Sequence, residues 1–183
     1  MLRGAALAPF ARSFGQRVRC LGLDESLPML AAARERFAAE IAAGTVDIRE
    51  HDLRYGLPDD ALPSLTLAVL TLQFVPIEHR QRVVADVDRK TQPGGAMIVV
   101  EKILGPTAAA DKLLVQRYYQ GKLGEGYSFD QIAAKRKSLE GVLVPLTAAG
   151  NVAMLEAEGF KVTPFWQHLN FAGWLAVKPK GGV

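Results

Sequence analysis

Apolar and polar positions along this chain follow two rhythms, short β-branched runs and longer stretches at helical spacing, and their alternation predicts a sheet with helices packed on its faces. Residues 4–14 have helical character, and residues 18–23 (VRCLGL) read as a buried strand that ends at Asp24. Ser26 can cap the following helix with Pro28 in its first turn, and Leu30, Ala33, Phe37 and Ile41 recur on one helical face. Val46 and Ile48 alternate in a second strand that stops at His51-Asp52. The run at 65–74 (LTLAVLTLQF) is apolar enough for a strand buried on both faces, as parallel central strands are. Pro76 opens a helix through Val83, Val84 and Val87, and Pro93-Gly94-Gly95 breaks the chain before another interior strand at 96–101. Two helices are expected between 108 and 139, with Gly121, Gly124 and Gly126 between them, and a last helix at about 148–158. The segments 160–166 and 169–178 are separated only by Gln167-His168, so they pair as an antiparallel hairpin.

Parallel βα units finishing in such a hairpin give the fold class: α/β, a doubly wound, mostly parallel sheet whose last strand runs backwards. Residues 1–183 form one domain, with a helical insertion at about 104–147. Ligands of such sheets sit at the carboxyl ends of the strands, which directs attention to Asp24, Asp52, the region after Val69, and Glu101.

Composition narrows the class further. A chain of 183 residues with 49% hydrophobic and 22% charged positions can bury a sizeable core without disulfides or a structural metal. The single Cys20, most simply a small buried hydrophobe, forms no internal bridge, which suits a reducing, cytoplasmic location. No apolar run is long enough to span a membrane, and Pro9 and Arg12 interrupt any signal-peptide core. The 22 Lys+Arg against 19 Asp+Glu leave a net charge of +3, too mild to require a nucleic-acid partner. No CxxC, HExxH or GxSxG occurs, so zinc and serine-hydrolase chemistry have no support and no metal is expected.

Three residues carry candidate chemistry. Asp24 closes an apolar strand before a helix, where a carboxylate can accept both hydroxyls of a ribose or simply benefit from the helix dipole. Asp52, at the next strand end, is placed to accept an exocyclic amine of an adenine, with Leu53 packing on the ring. Arg136 shares the helical stripe of Phe129, Ile132 and Leu139, so a guanidinium on the inward face needs an anion, either a protein carboxylate or a ligand. His51, His79 and His168 read as surface or turn residues, and Trp166 and Trp174 as packing.

Six segments then carry a resemblance: LDESLPML (23–30), HDLR (51–54), TLQFVPIEHRQ (71–81), PGGAMIVVEK (93–102), GYSFDQIAAKRKSLEGV (126–142) and FWQHLNFAGWLAVK (165–178). In this order they resemble class I S-adenosylmethionine-dependent methyltransferases, and among them the carboxy-S-adenosylmethionine synthase group, which serves modification of the tRNA wobble uridine. The resemblance implies a Rossmann-like methyltransferase sheet, and S-adenosylmethionine or its carboxylated form as cofactor. It places Asp24 on the ribose, Asp52 and Leu53 around the adenine, and Arg136 on the extra carboxylate, where it would act in catalysis. The implied reaction transfers the carboxyl group of prephenate to the sulfonium carbon and leaves phenylpyruvate. The implied assembly is a homodimer, with no direct nucleic acid required.

The chain departs from the group at three places. Glu25 and Val69 stand where cofactor-contacting Asn residues are expected. The usual first strand and glycine-rich loop are lacking, with Gly4 alone matching the loop's last glycine, so the chain reads as N-terminally truncated. A sheet without its middle strand must leave two strands unpaired or close the gap. Competing readings are an ordinary small-molecule methyltransferase of the same fold and a non-catalytic remnant. A nicotinamide-binding dehydrogenase also uses an acid after its second strand, but has no reason to carry TLQF or KR.

Overall fold

The computed structural model describes residues 4–180. Its order is α1 (Ala8–Phe14), β1 (Cys20–Asp24), α2 (Leu27–Arg36), α3 (Ala38–Ala42), β2 (Val46–Glu50), β3 (Leu65–Val69), α4 (Ile77–Lys90), β4 (Ala96–Leu104), α5 (Ala108–Gly124), α6 (Phe129–Ser138), β5 (Leu146–Thr147), α7 (Ala148–Glu156), β6 (Lys161–His168) and β7 (Phe171–Val177). The two helices of the expected insertion are α5 and α6. Both begin at side-chain caps, Thr107 on the Ala110 amide and Ser128 in a reciprocal capping box with Gln131.

The strands divide into two sheets. β1 and β2 pair in parallel, Cys20 opposite Val46 through Asp24 opposite Glu50. The larger sheet has the order β3-β4-β7-β6, parallel at β3/β4 and antiparallel at β4/β7 and β6/β7, with β5 added to β4 at Ile103 and Leu104. Among the described residues β1 and β3 have no strand partner on their other edges.

Each sheet has its own core. Leu30, Ala33 and Phe37 of the α2 stripe pack with Ala8, Ala11, Val46 and Ile48, whereas Ile41 at the end of the stripe is exposed. The second cluster joins Val83, Val84 and Val87 of α4 and Met154 and Leu155 of α7 to Met97, Val99, Ala172, Trp174 and Ala176. Residues opposite one another in a ladder share a face, and here only one face is buried. Leu65, Leu67, Val69, Ile98, Val100 and Leu175 on the other face are half-buried and lie outside the cluster. This corrects the expectation that the 65–74 run is buried on both faces, while β4 takes the interior place expected for 96–101, between β3 and β7. α5 reaches that face through the Tyr118 ring, 5.4 Å from Phe171.

Three local readings change. The 65–74 run is not one strand: β3 stops at Val69, Leu70 turns left-handed at φ 52°, and residues 72–74 form a 3-10 turn. The hairpin turns at Leu169-Asn170, with Leu169 at φ 49°, and Gln167 and His168 remain in β6. Cys20 is half-buried at the margin of the smaller core, because β1 is an edge strand.

Candidate functional site at the strand ends

The chain leaves β1 and β2 at the same edge because the two strands are parallel and in register to their last residues. The register continues past the ladder, with the His51 amide donating to the Asp24 carbonyl at 3.0 Å. Asp24 and Asp52 are therefore neighbours across the sheet's carboxyl edge.

Asp24 is half-buried, and its Oδ1 accepts the Ser26 amide at 2.9 Å, which steadies the entry into α2. The helix-terminus reading of this residue is thus realised. Glu25 is exposed, and its charge reaches Arg54. Asp52 accepts the Arg54 amide at 2.8 Å and the Arg54 guanidinium at 2.8 and 2.7 Å. Those hydrogen bonds hold the Asp52 carboxyl below the ordinary range. Leu53 begins a 3-10 turn and packs against the larger core, which makes it an apolar shelf beside Asp52.

The turn carrying Leu53 is anchored from below. Gly56 lies at φ 87°, and a Cβ there would stand 2.7 Å from Asp86 Oδ2, so only glycine fits. Asp86 Oδ2 accepts the Leu57 amide at 2.6 Å, and Lys90 Nζ donates to the Leu57 and Pro58 carbonyls at 2.6 and 3.1 Å. Both α4 side chains are nearly buried, and they satisfy one another at 3.4 Å.

The remaining expected residues divide. Gly4 is buried at φ 69°, and a Cβ there would stand 2.4 Å from Phe37 Cε2; its observed contacts are packing and the start of α1. Val69 ends β3 opposite Val100, half-buried, beside the turn at Leu70. Arg136 is a correction. Its stripe faces α5 across a cavity of about 260 Å³ lined by Tyr119, Leu123, Phe129, Ile132, Ala133 and Arg136 itself, which is nonetheless exposed. Among the described residues it has no ion pair: α6 packs on α5, and of the stripe Ile132 and Leu139 are half-buried while Phe129 and Arg136 stay exposed. The guanidinium inferred from spacing to be buried therefore borders the cavity but stays exposed. Among the described residues no cluster of three metal-ligating side chains occurs.

One network exceeds the sequence reading. Glu101, flagged only as a strand-end acid, is 1% exposed and accepts the amides of Thr71, Leu72 and Gln73 at 2.9, 2.8 and 3.2 Å. Burial pushes its carboxyl up to about 7 despite these donors and the charge of Arg80. Arg80, also buried, donates to the Val75 and Gln73 carbonyls. Polar residues in an apolar helix or strand pattern were the only signal available for this network.

The donor set suits the nucleoside half of the implied cofactor: two carboxylates at adjacent strand ends for hydroxyls and an amine, and Leu53 as an apolar shelf. A methyltransferase-domain family matches residues 3–95. The chain is 37% identical to a carboxy-S-adenosyl-L-methionine synthase of Methylococcus capsulatus over 177 residues, 96% of this chain and 73% of that protein. It is 37% identical to the protein of the same name from Chromohalobacter salexigens over 158 residues, 86% of this chain and 58% of that one. Among solved structures, an O-methyltransferase family protein from Burkholderia thailandensis superposes with a TM-score of 0.68 at 13% identity. Human N-acetylserotonin methyltransferase, solved with S-adenosylmethionine, superposes at 0.63 and 18% identity. The superpositions cover 99% and 97% of this chain but about half of each solved one, 49% and 46%. Two adjacent strand-end carboxylates on a doubly wound α/β fold, matched over nearly the whole chain by proteins of one name, make this chain a member of the carboxy-S-adenosyl-L-methionine synthase family within the methyltransferase-domain proteins.

Proposed function

We propose that this chain binds S-adenosylmethionine at the carboxyl ends of β1 and β2 and acts as a carboxy-S-adenosylmethionine synthase in tRNA wobble uridine modification. Asp24 accepts the ribose hydroxyls, Asp52 accepts the adenine amine, and Leu53 supports the ring. The carrying observation is the in-register parallel pair, Asp24 opposite Glu50, which ends both strands at one edge two residues before Asp52. When bound, the sulfonium would acidify its own methyl C–H, so that the carbon, having lost a proton, would take the carboxyl carbon released by prephenate; phenylpyruvate and water, the latter from that proton and the ring hydroxyl lost on aromatisation, would be the other products. Arg136 holds the transferring carboxylate by charge-assisted, bidentate contacts. An exposed arginine without a protein anion is compatible with that role, since nothing in the fold competes for it. The chain acts as a cytoplasmic homodimer, and its product passes to a separate enzyme without direct contact with tRNA.

Native mass spectrometry of the purified chain tests this directly. Co-purified carboxy-S-adenosylmethionine supports the synthase reading, and S-adenosylmethionine alone favours an ordinary small-molecule methyltransferase. An empty chain that also fails to bind added S-adenosylmethionine overturns the site and leaves a non-catalytic remnant of the fold.

A further inference from the structure

Leu70 adopts φ 52° immediately after β3, a conformation that is uncommon for a side chain branched at Cγ and has no glycine to ease it. Such strain persists only where surrounding contacts over-determine it. Here they do. The Leu70 amide donates to the Val100 carbonyl at 2.7 Å, and the next three amides converge on the two oxygens of Glu101. Thr71 Oγ1 closes back on the Val69 carbonyl at 3.2 Å.

The far side of the turn is held as firmly. Gln73, 4% exposed, accepts the Lys102 amide on its side chain at 2.9 Å. Its carbonyl accepts Arg80 Nη2 and the Val144 amide, at 3.1 and 2.9 Å. A buried carboxylate, a buried guanidinium and a buried amide are thus all committed to six residues of chain. Burying such groups is costly, and an ordinary connection between a strand and a helix needs none of them. The turn does occupy one special place, the carboxyl end of β3, where doubly wound sheets bind their ligands.

We propose that Glu101 is the positioning residue of the cofactor site: by gathering the amides of residues 71–73 it holds the left-handed turn at Leu70 and sets where Val69, Leu70 and Thr71 stand at the ligand crevice. Glu101 itself touches no ligand; it acts through the turn. The inference rests on the cofactor placement proposed above. It also accounts for Val69, which offers no polar side chain: at this position the backbone, shaped by Glu101, is what the ligand meets.

The test uses the 183-residue chain and two substitutions, Glu101→Gln and Leu70→Gly. Gln is of equal size but turns an NH2 group toward amides that need an acceptor. Gly relieves the strain and frees the turn. Amide hydrogen exchange in the free protein reads the turn, and titration calorimetry with S-adenosylmethionine reads the site. In Glu101→Gln, exchange at residues 71–73 accelerates at least tenfold relative to β4 and β7, and the Kd for S-adenosylmethionine rises at least tenfold. In Leu70→Gly the protein melts no lower than wild type, yet binds at least threefold more weakly. Unchanged exchange, or a folded Glu101→Gln protein with wild-type affinity, overturns the proposal and leaves Glu101 a structural residue. Should that variant fail to fold, wild-type affinity in Leu70→Gly overturns it alone. A wild-type chain that binds no S-adenosylmethionine instead overturns the cofactor site, and the role given to Glu101 falls with it.

Discussion

Arg54, two residues beyond Asp52, folds back so that its guanidinium and its own amide all donate to the Asp52 carboxylate at 2.7–3.1 Å. The pair is partly exposed, 21% for Asp52 and 51% for Arg54, so it adds little to stability. Its effect is on charge and orientation: Asp52 stays ionised and aimed, and Arg54 is the group a ligand amine must share it with. Replacing Arg54 by Ala is expected to return the Asp52 pKa upward toward the ordinary carboxylate value, measured by NMR titration of the side-chain carboxyl. In Asp52→Asn, S-adenosylmethionine binding is expected to weaken about tenfold, the equivalent of one hydrogen bond to a charged group. Unaltered affinity removes Asp52 from the site.

Arg136 is exposed and, among the described residues, without an ion pair, so its substitution separates chemistry from folding. Arg136→Leu is expected to shift stability by no more than about 0.5 kcal/mol in thermal unfolding. It is expected to abolish carboxylated product while the affinity for S-adenosylmethionine stays within about threefold. Full carboxylating activity in this variant would falsify the role assigned to the arginine.

Glu101 makes stability depend on pH in an unusual direction. Its folded carboxyl is raised to about 7 from an ordinary 4.5, chiefly by burial, so between those values the folded protein holds a proton that the unfolded chain has lost. The contribution is complete below pH 4.5 and disappears as pH rises toward 7. Denaturant unfolding from pH 4.5 to 7.5 should therefore show wild type losing stability relative to Glu101→Gln. Parallel curves for the two proteins would mean that Glu101 is ionised throughout. The carboxyls of half-buried Asp52 and exposed Asp60, both lowered by their arginines, act oppositely and at lower pH in both proteins alike.

Asp86 is the anchor of the 56–58 turn, and removing it strands Lys90 as a buried charge. Asp86→Ala is expected to cost about 3 kcal/mol in denaturant unfolding, as loss of one member of a buried pair does. Asp59→Ala, whose side chain is fully exposed although 3.6 Å from the same lysine, should cost almost nothing.

The two faces of β4 offer a matched comparison. Val99 is fully buried against α4 and α7, whereas Val100 is half-buried on the opposite face. Val99→Ala should destabilise by about 2 kcal/mol and Val100→Ala by less than about 1 kcal/mol, following the apolar surface each removes from water. Equal costs would mean that something covers the second face in solution.

Period and punctuation along the chain were sufficient for most elements. Pro76 before Val83, Val84 and Val87, Pro93-Gly94-Gly95 before β4, and the Ser128 box before α6 are local signals, and local energies decide where helices and strands begin. That Asp24 closes an apolar strand and Asp52 follows the next one was legible for the same reason, since the ends of parallel strands share an edge. Composition and the six matched segments carried the family.

What depended on tertiary structure depended on neighbours. The 65–74 run is apolar throughout, yet it breaks at Leu70 because Glu101, about thirty residues away, offers an acceptor to the three amides after the bend. Arg136 has the spacing of an inward residue, but an inward stripe is buried only if a core lies opposite, and α6 packs on α5 outside both core clusters. Both faces of β3 and β4 are apolar, and only the contacts of α4 and α7 decide which of them leaves water. A pattern can state what a side chain prefers; burial, and with it the charge state of Glu101 and the anion for Arg136, is set by what other segments bring against it.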